Sequence, residues 1–208
     1  MARTGPVTKD TTTVALGLAQ IRVGAMATNI ASTVPRLLAA DSIGALANTK
    51  FMGNVDYYRL ESGFPLLEDA IYPLREAAAL ECAFKEITPK NMALARGLDP
   101  TGYATAHVGS IGLGAIAAPT PIRVEAIYTF PDGVNVMAII FPRAMAAATI
   151  EMEFAAEEPA AVAIRLEAKR GDSEVSGGNA VWDAMPYGRL LWDTGGTTWT
   201  TTTTTTTA

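Results

Sequence analysis

His107 carries the only imidazole and Cys82 the only thiol in 208 residues, so the side chains most often used for catalysis and metal binding are almost missing. The neighbours of His107 are Ala106, Val108 and Gly109, which supply neither an acid nor a nucleophile, and the sequence favours a core or loop histidine. With one His and one Cys, the usual zinc ligand sets cannot be assembled within a chain. Cys82 sits in Leu80-Glu81-Cys82-Ala83-Phe84 and reads as a small core residue with no partner for an intrachain disulfide. The carboxylates of Glu157-Glu158 and of the alternating Glu151 and Glu153 could in principle do acid/base work, but are most simply solvated side chains. Gly109-Ser110-Ile111-Gly112-Leu113-Gly114 superficially resembles a phosphate-binding loop. The following Ala115-Ile116-Ala117-Ala118 is stopped by Pro119 before a helix can develop, which leaves a flexible loop or a close strand crossing. Lys169-Arg170 is only a pair at a strand end, and no basic block interleaved with aromatics marks a nucleic-acid site. The sequence therefore predicts no catalytic, cofactor or metal site, and a protein that is not an enzyme.

Charge narrows the partners further. With 16 Lys and Arg against 21 Asp and Glu, the formal charge is −5. A chain without a net positive field gains little from counterion release at phosphates, so tight nucleic-acid binding is not expected. Hydrophobic residues make up 49% of the chain but aromatics only 7%, so a core must be built from Ala, Val, Ile, Leu and Met. The apolar stretch Tyr103 to Pro119 contains His107 and three glycines and is shorter than a membrane-spanning helix requires. It reads as a loop or strand pair. Met1 to Asp10 lacks the apolar block of a secretory signal, and synthesis in the cytoplasm is expected.

The elements that would position any function are mostly strands. Val14 to Ala27 reads as a strand, Thr28 to Asn48 as a long connection, and Val55 to Glu61 as a strand ending at a Ser62-Gly63-Phe64-Pro65 turn. Ile71 to Glu76 is extended around Pro73, which is better tolerated at a sheet edge. Ala78 to Ile87 is ambiguous: if extended, Leu80, Cys82 and Phe84 share a face, whereas its alanine and glutamate favour a helix. One short helix is well signalled, with Thr88 as its cap, Pro89 in its first turn and Gly97 as its stop. Ile122 to Phe130 and Val134 to Phe141 flank Pro131-Asp132-Gly133 and predict a hairpin. Alternation predicts strands at Ile150 to Phe154 and at Val162 to Leu166. Gly171 to Asn179 reads as a flexible connection. Trp182, Tyr187, Leu190, Leu191 and Trp192 then follow in an irregular segment, and a threonine run from Thr200 to Thr207 cannot form a core of its own.

This order resembles that of the major tail proteins of long-tailed, siphovirus-like bacteriophages. The resemblance covers roughly Val55 to Ala168. It rests on the strand Tyr57 to Glu61, the glycine-proline turn, Glu86-Ile87-Thr88 leading into Asn91 to Gly97, and Phe130-Pro131-Asp132-Gly133-Val134 followed by Ile139 to Ala144. The glycine- and alanine-rich Thr101 to Pro119 and the threonine tail match no element of that family. The resemblance implies a mainly β, sandwich- or barrel-like domain with one flanking helix. It also implies stacked, hexameric rings of the chain around a DNA channel, a place in the virion beside other tail proteins, and no membrane. A tail terminator or connector is the alternative within the same structural class. A ligand-binding β-sandwich, with Trp182, Tyr187 and Trp192 as an exposed aromatic cluster, is the alternative from another.

From these readings follow an N-terminal arm and loop region over 1–54, a β-core over 55–170 with its helix near 89–97, and a C-terminal extension over 171–208. Glu151 and Glu153 are the expected channel-facing carboxylates, since six subunits would carry about −30 per ring and repel phosphate. Trp182, Tyr187, Trp192 and Trp199 are the expected contacts of a C-terminal arm docked on a neighbouring copy.

Overall fold

The computed structural model describes residues 15–62, 67–103, 108–114, 118–147, 150–152, 154 and 159–193. The Ser62 to Pro65 turn (beyond Ser62 itself), His107, Glu153, Glu157-Glu158, Trp199 and the threonine run lie outside the described residues.

The fold is mainly β, and the short flanking helix is of the expected kind. Among the described residues, seven strands form one antiparallel sheet: β1 (Gln20–Ala25), β2 (Leu46–Ser62), β3 (Leu67–Phe84), β4 (Ile122–Thr129), β5 (Val136–Ala146), β6 (Val162–Ala168) and β7 (Arg189–Asp193). Their order is β1-β4-β5-β6-β3-β2, with β7 paired to β5. Alternation drives this arrangement most clearly in β6, where Val162, Ile164, Leu166 and Ala168 are buried while Ala163 and Arg165 are exposed. At the β4–β5 turn, Asp132 accepts hydrogen bonds from the amides of Val134 and Asn135, both at 3.0 Å, and Gly133 takes a φ of 71° that suits glycine.

β5 changes partner along its length. Val136 to Ile140 pair with β7, whereas Ala144 to Ala146 pair with β6. Pro142, which has no amide proton to offer a ladder, lies at this exchange and beside the register shift against β4. The sheet curls around a core to which β1 and β4 contribute Ile21 and Val124, β5 contributes Phe141, and β6 and β3 contribute Leu166 and Leu80. α2 (Pro89–Ala95) adds Leu94 and Ala95. Its cap is as expected: Thr88 Oγ1 accepts from the Asn91 amide at 3.2 Å, and Gly97 at φ 73° ends it. A four-residue helix, α1 (Met26–Asn29), precedes the long connection.

Three regions differ from the sequence reading. Ile150 to Met152 and Phe154 are not in a strand, because alternation alone supplies no neighbour to pair with. Gly171 to Asn179 is a set of hydrogen-bonded turns: Arg170 pairs with Asp172 and Glu174, and Ser173 donates from its amide and its hydroxyl to Asp183, each at 2.8 Å. Gly178 is obligatory there, since a Cβ would lie 1.7 Å from the Asp172 carbonyl oxygen. Residues on both sides of the expected 55–170 core are also built into the body: Ile21, Val23, Ile43 and Trp182 are buried, and no structural break falls between Asn54 and Val55.

Candidate assembly surface

β2 and β3 are 17 and 18 residues long, more than twice the length of β6, the only other strand that pairs with β3. β3 pairs with β6 only from Ala79 to Phe84. Leu67 to Ala78 have β2 on one side and no described strand on the other, and β2 ends the sheet, with no described strand on its outer edge. At 3.3 Å per residue, this two-stranded arm extends ~40 Å beyond its last contact with β6. Pro73 falls in this unsupported part, beside a register shift between Asp56 and Tyr57.

The arm is apolar on both faces. Tyr58 lies directly opposite Tyr72 and Leu60 opposite Ala70, while Tyr57 opposite Pro73 shows the other face. Val55, Tyr57, Tyr58, Leu60, Leu67, Ile71, Tyr72 and Leu74 are all exposed, with Leu74 at 69%. An isolated two-stranded hairpin is marginal in water, and long apolar edges are templates for pairing with another chain. Where β3 parts from β6, a groove of about 410 Å³ opens, lined by Met52, Arg75, Ala77, Lys169 and Tyr187 among others.

Below the arm, the outward face of β2, β3 and β6 carries a ladder of mixed charge. Glu81 is 4.0 Å from Lys50 and 3.3 Å from Arg165, and Glu167 is 3.3 Å from Arg165 and 2.8 Å from Lys169. The hydrogen bond from Lys169 holds the Glu167 carboxyl below its ordinary range, with Lys169 and Arg165 charges adding to it against a partial desolvation. Each exposed pair contributes only about 0–1 kcal/mol, so the ladder sets the character of the face more than its stability.

The expected site residues are scattered. Glu151 is exposed and belongs to no strand. Trp182 is not available to a neighbour: it is 0% exposed, packs with Ile30, Ala138 and Ile140 on the outside of β5, and donates its indole N–H to the Ile30 carbonyl at 2.6 Å. The cause is local. Asn179 Oδ1 accepts from the Val181 amide, which starts a 3₁₀ turn over Ala180–Trp182 and swings the indole inward. Tyr187 is half-buried against the main core. Trp192 is 59% exposed on β7, a strand that packs on its own β5. Cys82 is a core residue, its thiol pushed up to about 12 by burial.

Sequence reasoning missed the polar cluster that holds the long connection in place. Arg123 and Glu125 are both fully buried on the outer face of β4, 2.6 Å apart. Arg123 also donates to the carbonyls of Asn29, Ser32 and Val34, each at 2.8 Å, and Glu125 accepts from the amides of Arg36 and Leu37. Burial pulls the guanidinium below its ordinary range against the opposing pull of Glu125. Buried connections need partners for their backbone groups, and this pair supplies five of them with charge-assisted bonds. Two charges alternating with Val124 and Ala126, downstream of a long connection, were the available signal.

Among the described residues, no group of three or more His, Cys, Asp or Glu is placed to hold a metal ion, and no helix is long and apolar enough to cross a membrane. No family model matches the sequence, and no curated protein matches it. A solved structure, the tube-terminating cap of the anti-feeding prophage, is similar over 94% of this chain and 95% of that chain, with 11% identity and a TM-score of 0.40.

Proposed function

We propose that the chain is a non-enzymatic structural subunit of a phage-tail-type tube, which closes with copies of itself into rings that stack around a DNA channel. The β2–β3 arm carries this reading: it is a long hairpin with apolar residues exposed on both faces, and no described strand pairs with the outer edge of β2 or with β3 before Ala79. Ring closure would give those edges strands to pair with and bury the tyrosines and leucines, and cyclic symmetry would repeat the same contact in every subunit. The outward face of β3 and β6 is the proposed channel wall in place of Glu151 and Glu153, because it is a regular strand face on which carboxylates and cations alternate. Such a face offers DNA phosphates no continuous positive track to bind. The proposed place of action is the virion, beside other tail proteins.

Electron microscopy of the purified chain tests this. Long cylinders of stacked rings are the expected result. Single rings that never elongate would reassign the chain to a terminating or connecting ring, and dispersed monomers would remove the tube reading altogether.

A further inference from the structure

β5 gives one edge to β4 and divides the other between two strands, β6 at Ala144 to Ala146 and β7 at Val136 to Ile140. β7 therefore stands in the row that β6 occupies lower down, between β5 and the upper half of β3. β6 fills that row, since it pairs with β5 on one side and with β3 on the other. β7 pairs with β5 alone, and β3 and β7 do not run side by side. Among the described strands, the edges of β3 and β7 thus border a wedge, antiparallel to each other as β3 and β6 are. At the apex of the wedge, Glu76 and Ala78 of β3 share a notch of about 150 Å³ with Gly188 and Leu190.

The side chains on the two edges match. Leu190 lies opposite Ile139, a core residue, and Trp192 opposite Met137, so both show the core-facing side of the sheet, yet they are 41% and 59% exposed. On the arm the same side carries Pro73, opposite Tyr57, and the exposed Ile71, opposite Arg59. The row of β6 can be carried upward through the one-residue irregularity of β5 beside Pro142 and that of β3 at Leu74. Leu190 then falls opposite Pro73, Leu191 opposite Tyr72 and Trp192 opposite Ile71, with like faces together at each position. Where β3 leaves β6, Gly53 faces Ala78, and a Cβ on Gly53 would meet only the Phe51 ring, at 3.6 Å. Glycine inside a strand weakens it, so this small pair is a natural hinge. We propose that the arm is a clasp, which in the free chain swings about Gly53 and Ala78 and zips the edge of β3 onto β7, covering Trp192 and Ile71 until another copy takes the arm. Closure gives the backbone groups of both edges partners. Pro73 has no amide proton to offer the new ladder, which keeps the closure weak enough to reverse. What opens the clasp rests on the self-assembly reading, whereas the closure itself does not.

The test is oxidation of the full chain carrying Tyr72→Cys with Leu191→Cys, read by intact mass and non-reducing electrophoresis. Residues opposite each other in an antiparallel ladder lie within disulfide reach, so closure yields an intramolecular bond. That bond should form at least about tenfold faster than in the out-of-register pair Leu67→Cys with Leu191→Cys. Cys82 is buried and does not compete. Circular dichroism establishes folding, and Ile71→Cys with Trp192→Cys, the neighbouring pair on the other face, serves if the first pair does not fold. An in-register pair that stays reduced, links only between chains, or oxidises no faster than the offset pair overturns the clasp. Sedimentation velocity then reads the covering role: the oxidised chain should be monomeric, and reductant should restore association. An oxidised chain that associates like the wild type overturns the clasp as a cover and leaves self-assembly intact. A wild-type chain that is monomeric under all conditions overturns the self-assembly reading, and the oxidation rates still decide the closure.

Discussion

The two halves of β3 belong to one strand but live in different environments. From Ala79 to Phe84 the strand lies between β2 and β6, and Leu80, Cys82 and Phe84 are at most 2% exposed. From Leu67 to Ala78 β2 is the one described strand that pairs with it, and Leu67, Ile71, Tyr72 and Leu74 are exposed. The residue types are similar in both halves, so hydrophobicity does not decide which part is core. What decides it is whether another element is present to cover the residue. Apolar residues in the lower half stabilise the body, and the same kinds of residue in the upper half form an exposed apolar surface.

The sharpest way to break this contrast lies in the body. Arg123→Met leaves the buried Glu125 carboxylate without its cation and three carbonyls without a donor, and is expected to cost about 3–5 kcal/mol in denaturant unfolding. An effect under about 1 kcal/mol would mean that the connection is not held by this pair.

Next in size is a matched pair on β3 itself. Leu80→Ala should lose about 2–5 kcal/mol through the cavity it leaves in the core. Leu74→Ala, at an exposed position, should stay within about 0.5 kcal/mol of wild type in a monomeric unfolding assay. Equal losses at both sites would erase the distinction between body and arm.

How much of this was legible in the sequence depends on how local each signal is. α2 was readable because Thr88, Pro89 and Gly97 act within one turn, and the β4–β5 hairpin because Asp132 and Gly133 fix it locally. The arm was read only over Val55 to Glu61 and Ile71 to Glu76, because a strand exposed on both faces has no reason to alternate. Ile150 to Phe154 alternates in sequence, and yet Ile150 to Met152 and Phe154 pair with no described strand. β7 was hidden for a tertiary reason: Gly188 crosses so close to β5 that a Cβ would meet the Ile140 carbonyl oxygen at 2.0 Å, and nothing in the local sequence announces that approach. The sequence reading places an inter-subunit arm in the C-terminal segment, where Trp182 is core, because local sequence does not show that the 3₁₀ turn over Ala180–Trp182 swings the indole onto β5.

The smallest effect concerns acid. Glu167 sits in the charge ladder with its carboxyl held below the ordinary value of 4.5, chiefly by Lys169. A carboxylate with a depressed folded pKa contributes stability that is fully present above its ordinary value and is lost as the pH falls through the folded one. Glu167→Gln should therefore lower stability slightly at pH 7 and make no difference well below pH 4, as read by thermal unfolding across that range. A penalty that persists unchanged in acid would point to a packing role for the side chain rather than to its charge.

The central claim is that the β2–β3 arm holds subunits together and contributes little to the fold of its own body. Sedimentation velocity of the intact chain beside Tyr58→Glu/Tyr72→Glu, which places two like charges directly opposite each other on the exposed arm, tests it most directly. The account predicts a large, discrete assembly for the wild type and a folded monomer for the double variant. A wild type that sediments as a monomer at every concentration, or a double variant that assembles like the wild type, would contradict it.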